Sequence, residues 1–330
     1  MKKINTEFLQ LRSHLEKTIV GQTHLLDRMM IAVLTGGHIL LESLPGLAKT
    51  TAVNALASGI HAQFQRIQFT PDLMPADLTG SDIYEPQTGK FHFIEGPIFN
   101  EIILADEINR APPKVQSALL EAMQEHQVTV GGKTRPLSEL FIVMATQNPL
   151  EQSGTYPLPE AQLDRFLLHV VLDYPSAEEE LLILQRHRQQ DIQQHSNDIK
   201  TQNKDSESDI VLTTQHVLSA RQQVLAVHLA PELEHYIIQL VGASRQLQSI
   251  NPDWQDYLQA GASPRASLAL AKASSALAYL RGRDYVVPDD IIEIAPDVLR
   301  HRLVMGYAAR AANINADHII QTLLETVQIP

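Results

Sequence analysis

The sequence predicts an α/β domain with a parallel sheet, followed by a smaller helical domain. The chain has 330 residues, more than one hydrophobic core usually organises, so we expect two domains. In the first half, short apolar runs alternate with amphipathic segments, which is typical of parallel strands joined by helices. After the breaker Tyr174-Pro175 the pattern is helical almost to the end. We therefore assign residues 1–175 to the α/β domain and residues 176–330 to the helical domain.

Five segments of the first domain are predicted to be strands. Three are apolar runs bounded by breakers, as expected of strands buried on both faces: "GHILLE" (37–42), "EIILADE" (101–107) and "LFIVMAT" (140–146). Two further strands are predicted at "HAQFQRIQF" (61–69) and "RFLLHVVL" (165–172). Between them, "PPKVQSALLEAMQEH" predicts a helix with Val115, Leu119, Leu120 and Met123 on one face. Its prolines stand at the start, where a helix tolerates them.

One polar stretch interrupts the helical pattern of the second domain. Residues 193–209, "QQHSNDIKTQNKDSESD", have no apolar periodicity. This composition predicts a surface loop.

Composition and charge exclude several kinds of protein. The chain has no cysteine, which excludes disulfides, thiolate metal sites and a cysteine nucleophile and favours a reducing compartment. Its start has no signal-peptide pattern, and no apolar run is long enough to span a membrane, so we expect a cytoplasmic protein without membrane insertion. With a net charge of −12 it lacks a general basic footprint for nucleic acid, although a local basic patch would escape this count.

The stretch "LLESLPGLAKTT" (40–51) is similar to the phosphate-binding loop GxxxxGK[ST], with Ser43 and Ala48 in place of its two glycines. A predicted strand precedes it and a predicted helix follows, so the helix N-terminus would face a bound anion. The Lys49 ammonium would reach the β- and γ-phosphates of a nucleotide, and the Thr50 hydroxyl would bind Mg²⁺. An ordinary strand–turn–helix with a surface lysine is the alternative. The candidate nucleotide-binding residues of the loop are Ser43, Leu44, Pro45, Gly46, Leu47, Ala48, Lys49, Thr50 and Thr51.

Two carboxylates follow the apolar run "IILA" in the strand predicted at 101–107. Open α/β sheets bind ligands at the carboxyl ends of their strands. Asp106 is therefore a candidate Mg²⁺ ligand, and Glu107 is a candidate for polarising the attacking water. The alternative is a strand that simply enters a solvated turn.

Two further polar residues stand beside other predicted strands. Asn148, in "QNP" after the strand predicted at 140–146, could hold an attacking water, or it could cap a turn before Pro149. Arg165 precedes the last predicted strand, and its alternative role is an ion pair with Asp164 at a helix end.

Together these motifs resemble the AAA+ ATPases, and among them the MoxR family, over nearly the whole chain. "PGLAKT" is similar to that family's phosphate loop, whereas Ser43 departs from its usual glycine. "LADEINRAPPKVQSALLEAMQE" resembles the Walker B strand with its following helix, and "ATQNP" resembles sensor 1, which carries Asn148. The resemblance implies an AAA+ P-loop NTPase core with a parallel five-stranded sheet, followed by a small all-α lid domain.

The resemblance also implies roles for residues outside these motifs. "GTYPLPEAQLDRF" matches the segment of the arginine finger, which would be Arg165. "GASPRASLAL" matches sensor 2, so Arg265 would reach the γ-phosphate from the lid. "IVGQ" matches the segment that lines the adenine pocket, with Val20, Gly21 and Gln22.

Two insertions fit the same family. Residues 82–99 resemble the hairpin inserted into helix 2, and residues 126–137 resemble a hairpin before sensor 1, with Gly131-Gly132 at its turn. In the family both typically face the ring pore or a partner. The alternative is a pair of ordinary surface hairpins.

The function implied by the resemblance is that of an ATP-hydrolysing chaperone with ATP and Mg²⁺ as cofactors. Such proteins remodel, assemble or activate protein complexes, and we expect a homo-oligomer, a hexameric ring, working on a protein-complex client with a partner that carries a von Willebrand factor A domain. One alternative is a nucleotide-dependent binding scaffold with negligible turnover. The other is a nucleic-acid or transcription-regulating AAA+ motor, for which the sequence offers no appended helix-turn-helix or zinc module.

Overall fold

The computed structural model describes residues 2–44, 46–47, 49–149, 154–197 and 212–330. The strands are β1 Ile39–Ser43, β2 Phe64–Gln68, β3 Gly80–Glu85, β4 Lys90–Glu95, β5 Ile102–Asp106, β6 Gln127–Val130, β7 Lys133–Pro136, β8 Ile142–Gln147, β9 Leu168–Leu172, β10 Leu258–Ala260 and β11 Val304–Met305. The helices are α1 Lys2–Thr18, α2 Thr23–Thr35, α3 Lys49–Gly59, α4 Pro75–Thr79, α5 Pro113–Glu125, α6 Glu160–Leu163, α7 Ala177–Asn197, α8 Thr214–Leu225, α9 Pro231–Ala243, α10 Pro264–Leu280, α11 Pro288–Leu299, α12 Tyr307–Ala311 and α13 Ala316–Thr326.

The main sheet has five parallel strands in the order β2-β5-β8-β1-β9. The predicted five-stranded parallel sheet is therefore confirmed, and each of its strands overlaps one of the predicted segments, although β1 and β8 each continue one residue further. Parallel strands end at the same edge of the sheet, so the residues after β1, β5 and β8 come together there. This edge carries the phosphate loop, the two carboxylates and Asn148.

Both faces of the sheet are covered by apolar side chains. Ile102 and Leu104 of β5 belong to one core, while Ile103 and Ala105 belong to the other. This split follows from the alternation of side chains along a strand. The helix α5 covers one face with the four apolar residues predicted to share a side, and α2 and α3 cover the other. Burial on both sides explains why β1, β5 and β8 are apolar runs rather than alternating patterns.

The second domain packs helix on helix around α10, which lies against α8, α9 and α11. The first two helices of the chain also pack here, because α2 contacts both α8 and α10 and its apolar residues share one core with them. A short antiparallel pair, β10 with β11, adds a small sheet to this otherwise helical domain. Strands of two or three residues are too short to leave a periodic pattern in the sequence.

The polar stretch of the second domain differs from its prediction at one end. Helix α7 continues to Asn197, so the surface loop predicted at 193–209 was wrong for residues 193–197. Glutamine is a good helix former, and it can extend a helix that has no apolar stripe at that point. Residues 198–209 lie outside the described part of the chain.

Two antiparallel hairpins project from the α/β domain at the predicted insertions. In the first, β3 pairs with β4, and in the second, β6 pairs with β7 around Gly131 and Gly132, both with positive φ. The hairpins contact each other, since the Arg135 guanidinium carbon lies 3.6 Å from the centre of the Phe93 ring and Arg135 Nη2 lies 3.6 Å from an oxygen of Asp82. They therefore form one joint protrusion.

None of the helices in the described ranges has both the length and the apolar character that crossing a membrane requires.

Candidate functional site

The phosphate loop lies between β1 and α3. Ser43 is the last residue of β1 and is buried, and its hydroxyl donates a hydrogen bond to the Leu44 carbonyl oxygen at 3.2 Å. Gly46 has a φ of +89°, a conformation that favours glycine, and a Cβ there would meet nothing within 4 Å. Lys49 is the first residue of α3, so the helix N-terminus opens onto the loop. Because Ser43 stands in extended backbone, its side chain causes no strain in the turn.

A cavity of about 430 Å³ opens beside this loop. It brings together residues from the ends of β1, β2, β5 and β8 and from the start of α3. The lining residues are Ser43, Gly46, Leu47, Lys49, Thr50, Thr51, Arg66, Gln68, Asp106, Glu107, Thr146 and Asn148. Most of these were candidates from the sequence, whereas Arg66, Gln68 and Thr146 were not. We call this cavity the phosphate-loop pocket.

Asp106 is held on both of its carboxylate oxygens. The Thr146 hydroxyl donates to Oδ1 at 2.6 Å. The Arg66 guanidinium donates to Oδ2 through Nε at 3.1 Å and through Nη2 at 2.5 Å. The carboxylate is therefore fixed at the end of β5 by one neutral donor and one cation.

Glu107 adopts a left-handed backbone conformation with a φ of +57°. Its backbone N–H donates to the Thr146 hydroxyl at 2.8 Å. Its Oε2 accepts a hydrogen bond from Gln68 at 2.7 Å and pairs with Arg110 at 3.2 Å. A non-glycine residue in this conformation is uncommon, and such strain is concentrated at functional sites. The turn directs the Glu107 carboxylate into the pocket beside Asp106.

The Lys49 ammonium is half-buried near two carboxylates and a second cation. Burial lowers the pKa of Lys49 below its ordinary value, Asp106 and Glu107 oppose that shift, and the Arg66 cation adds to it. A bound phosphate would add negative charge beside this half-buried ammonium and so oppose the effect of burial.

The two arginines predicted to act on the γ-phosphate do not line the phosphate-loop pocket. Arg165 and Arg265 line a separate cavity of about 250 Å³, together with Lys272, Arg302 and Asp164. Among the described residues, this cavity shares no lining residue with the phosphate-loop pocket. The structure therefore does not bring Arg265 to the pocket of Lys49, where the sequence predicts it.

Asp164 explains this placement of Arg265. Its carboxylate accepts hydrogen bonds from Ser263, the N-cap of α10, at 2.9 Å and from Arg302 at 2.8 Å, and it lies 3.7 Å from Arg265. The start of α10 is thereby tied to the residue next to Arg165. Asp164 pairs with the second domain rather than with Arg165, whose guanidinium donates to the Leu120 carbonyl oxygen at 2.8 Å.

The segment predicted to line an adenine pocket lies between α1 and α2. Gln22 is buried at the start of α2, and Gly21 has a φ of +73° with the Glu179 carboxyl carbon 2.9 Å from where a Cβ would be. Val20, Gly21 and Gln22 do not line the phosphate-loop pocket, so their contact with adenine stays a prediction. Leu44 packs against the apolar core instead. Pro45 and Ala48 lie outside the described residues.

The sequence carries only a weak signal for Arg66, Gln68 and Thr146, the three pocket residues that were not predicted from it. Arg66 and Gln68 alternate with the buried Ile67 along β2, an edge strand, so they share one face. The pattern identifies a polar face, but which neighbour that face meets depends on the order of strands in the sheet. Thr146 lies inside an apolar strand and resembles an ordinary β-branched strand residue.

The residues of the pocket fit a magnesium–nucleotide complex. Mg²⁺ in phosphate sites usually takes one or two protein oxygens and completes its shell with water and phosphate. Asp106 and the Thr50 hydroxyl are such oxygens. The cationic Lys49 and the start of α3 suit the phosphates.

Comparison with known proteins agrees with this geometry. Residues 38–168 match the family described as "ATPase family associated with various cellular activities (AAA)", and residues 254–323 match the AAA lid domain. The chain is 45% identical to chaperone MoxR1 of Mycobacterium tuberculosis over 316 residues. This aligned region covers 96% of this chain and 80% of the relative. It is 31% identical to protein MoxR of Methylorubrum extorquens, over 95% of this chain and 92% of that one.

A solved structure gives the same result for the fold. A crystal structure of a Cytophaga hutchinsonii protein superposes with a TM-score of 0.88 at 44% identity, covering 99% of this chain and 96% of that one. An identity of 44% over nearly the full length of both chains indicates a common family as well as a common fold. The resemblance predicted from the motifs is thus confirmed, and the chain belongs to the MoxR family of AAA+ ATPases.

Proposed function

We propose that the protein is a Mg²⁺-dependent ATP phosphohydrolase that works as a ring-shaped chaperone on protein complexes. The observation that carries the hydrolase assignment is the meeting of Lys49, Asp106, Glu107 and Asn148 in one pocket beside the N-terminus of α3. Each of these groups has a separate task in phosphoryl transfer to water.

The tasks follow from chemistry and position. Lys49 and the N-terminal amides of α3 bind the phosphates. Thr50 and Asp106 would hold the metal ion, which neutralises charge on the phosphates when bound. Glu107 polarises the attacking water, and Asn148 orients it through neutral hydrogen bonds. Glu107 and Asn148 are needed for turnover more than for binding, and this favours an ATPase over a scaffold that only binds nucleotide.

Arg165 and Arg265 support a ring. Both lie outside the phosphate-loop pocket of their own chain and share one cavity. The Arg165 Nε atom is buried and has no hydrogen-bond partner among the described residues. We propose that both arginines act on the nucleotide of the neighbouring subunit in a hexamer. Guanidinium groups supplied in this way stabilise charge on the transferring phosphoryl group.

Work on protein complexes is the biological role that we propose. One relative is named a chaperone, and the joint hairpin protrusion exposes four apolar side chains that suit a protein surface: Ile83, Tyr84, Phe91 and Ile94. A partner with a von Willebrand factor A domain would select the client. We expect this work to occur in the cytoplasm, since the chain has no cysteine. The net charge of −12 disfavours a nucleic-acid motor.

ATP hydrolysis by the purified protein tests the central proposal. We expect Mg²⁺-dependent phosphate release that EDTA abolishes and that Glu107→Gln lowers by about a hundredfold or more. Glu234→Gln, at an exposed position of α9, is the matched control and should hydrolyse ATP like the wild type. Tight ATP binding without phosphate release in the assembled wild type would instead favour the scaffold.

A further inference from the structure

Arg66 occupies the side of Asp106 that faces the phosphate-loop pocket. It lies on the edge strand β2, which pairs with β5 so that Gln68 stands opposite Asp106. Two guanidinium nitrogens of Arg66 donate to the same oxygen, Oδ2 of Asp106, at 3.1 Å and 2.5 Å. The side chain of Arg66 is 49% exposed and that of Asp106 is 12% exposed. A half-exposed cation thus covers a carboxylate that is otherwise buried.

The other oxygen of Asp106 is already committed. Its Oδ1 accepts the hydrogen bond from Thr146, and the Thr146 hydroxyl in turn accepts from the Glu107 amide. Thr146 is buried and held by the strand β8, so it cannot withdraw without leaving a buried polar group unsatisfied. Arg66 is the partner that can leave, because its long side chain already reaches solvent. Any cation that binds Asp106 from the pocket therefore meets Arg66 first.

Charge balance also favours a role for Arg66 before nucleotide binds. Among the residues that line the pocket, Lys49 and Arg66 are cationic and Asp106 and Glu107 are anionic, so their formal charges cancel. Without Arg66, Lys49 would be the one cation among the described residues that line the pocket. Asp106 would then keep only the neutral Thr146 donor, since Arg110 pairs with Glu107. Arg66 also donates to the Gln68 side-chain oxygen at 3.0 Å, which keeps the guanidinium beside the pocket.

We propose that Arg66 is a displaceable counter-ion of Asp106, which competes with Mg²⁺ and leaves when the metal–nucleotide complex binds. This inference rests on the proposed function, in which Asp106 holds the metal. Its consequence is that Arg66 lowers the gain in nucleotide affinity that Mg²⁺ provides. Mg²⁺ has to replace an ion pair rather than bind a free carboxylate.

The test measures binding of a fluorescent ATP analogue to the full chain at equilibrium, once in EDTA and once in saturating Mg²⁺. The ratio of the Kd in EDTA to the Kd in Mg²⁺ is the quantity compared. For Arg66→Gln we expect this ratio to rise about two- to fivefold, the range that a partly exposed ion pair allows. Arg66→Lys keeps the charge but loses the double hydrogen bond, so its ratio should rise less.

Arg310→Gln is the matched control, since Arg310 is an exposed arginine of α12 and lines neither the phosphate-loop pocket nor the cavity of Arg165 and Arg265. Its ratio should stay near that of the wild type. If Arg66→Gln weakens binding equally with and without Mg²⁺, Arg66 is only a phosphate ligand and the inference is overturned. Asp106→Asn tests the proposed function on which the inference rests. If the metal dependence survives in this variant, Asp106 is not the metal ligand and both proposals fail, whereas a failure confined to Arg66→Gln overturns only the inference.

Discussion

The Thr146 hydroxyl donates a hydrogen bond to the carboxylate of Asp106 at 2.6 Å. The same oxygen accepts the backbone N–H of Glu107 at 2.8 Å, so one buried hydroxyl positions both acidic residues of the pocket. Their carboxylates lie on adjacent residues, and the left-handed turn at Glu107 separates their directions. The Thr146 side chain, on the neighbouring strand β8, therefore holds both residues to which we propose separate roles, Asp106 in metal binding and Glu107 in water activation.

Thr146→Val should impair turnover more than nucleotide binding. Valine keeps the shape but leaves the Glu107 amide and one Asp106 oxygen without a partner, at a cost of about 1–3 kcal/mol. We expect kcat to fall about tenfold or more, with the Kd for ATP changed by less than about threefold. Thr146→Ser, which keeps the hydroxyl, is the control. Equal turnover in both variants would contradict the positioning role of the hydroxyl.

Ser43→Gly should be tolerated. Ser43 lies in extended backbone, and its hydroxyl bonds only to the adjacent Leu44 carbonyl, so the Kd for ATP should change by less than about threefold. Gly46→Ala is the contrasting variant. The φ of +89° at Gly46 disfavours any residue with a Cβ, and we expect a loss of about 1–2 kcal/mol, divided between stability and affinity. Thermal melting and equilibrium binding measure the two parts. A larger effect at Ser43 than at Gly46 would show that the serine is a necessary part of the loop.

Arg165→Ala and Glu107→Gln should each bind ATP and hydrolyse it slowly, and mixing them should restore hydrolysis. In a mixed ring, some interfaces pair an intact Glu107 from one chain with an intact Arg165 from its neighbour. Those interfaces are complete if Arg165 acts across the interface. If subunits exchange and the mixture stays as slow as the separate variants, Arg165 acts within its own chain.

Mixing Arg165→Ala with Arg265→Ala should not restore hydrolysis. The structure places both arginines in one cavity, so each neighbour would supply a pair that lacks one member. Had Arg265 served its own nucleotide, half of the mixed interfaces would be complete. Recovery of ATPase activity in this mixture would therefore contradict our placement of Arg265 and would restore the role expected from the sequence.

Stability should fall on acidification, partly through His38. Its Nδ1 accepts the Val143 amide at 3.0 Å, so Nε2 carries the hydrogen and donates to the Met123 carbonyl oxygen at 3.2 Å. Burial lowers the pKa of His38 to about 4 from about 6.5. Between about pH 6.5 and pH 4, His38 is protonated in the unfolded chain but not in the folded chain. The free energy of unfolding that is present above pH 6.5 is therefore lost progressively as the pH falls towards 4.

From pH 7 to pH 5 this single group should remove about 2 kcal/mol from the free energy of unfolding. Urea unfolding at the two pH values measures the loss. In His38→Gln the difference between the two values should shrink by that amount, even though the variant is less stable overall. Ile103→Val, a buried core change that also lowers stability but removes no titratable group, is the control and should keep the full pH dependence. An unchanged pH dependence in His38→Gln would refute the assignment.

Local patterns in the sequence were enough to predict the five strands and, to within one residue, the positions where they end. A buried parallel strand needs an apolar run, and a phosphate loop needs a strand, a turn and a helix in immediate succession. Each can therefore be recognised from a few consecutive residues. Since parallel strands all end at one edge, Lys49, Asp106 and Asn148 could be predicted to meet.

Only the tertiary structure decided which further residues join them. Alternation along β2 identifies a polar face but does not say that β5 is its neighbour, so the contact of Arg66 with Asp106 was not predictable. The cavity that Arg265 lines was not predictable for a related reason. Its position depends on how two domains dock, and the Asp164–Arg302 contact behind that docking joins residues 138 positions apart. Periodicity and turn signals describe neighbours in sequence, whereas docking is settled by side chains that become neighbours only on folding.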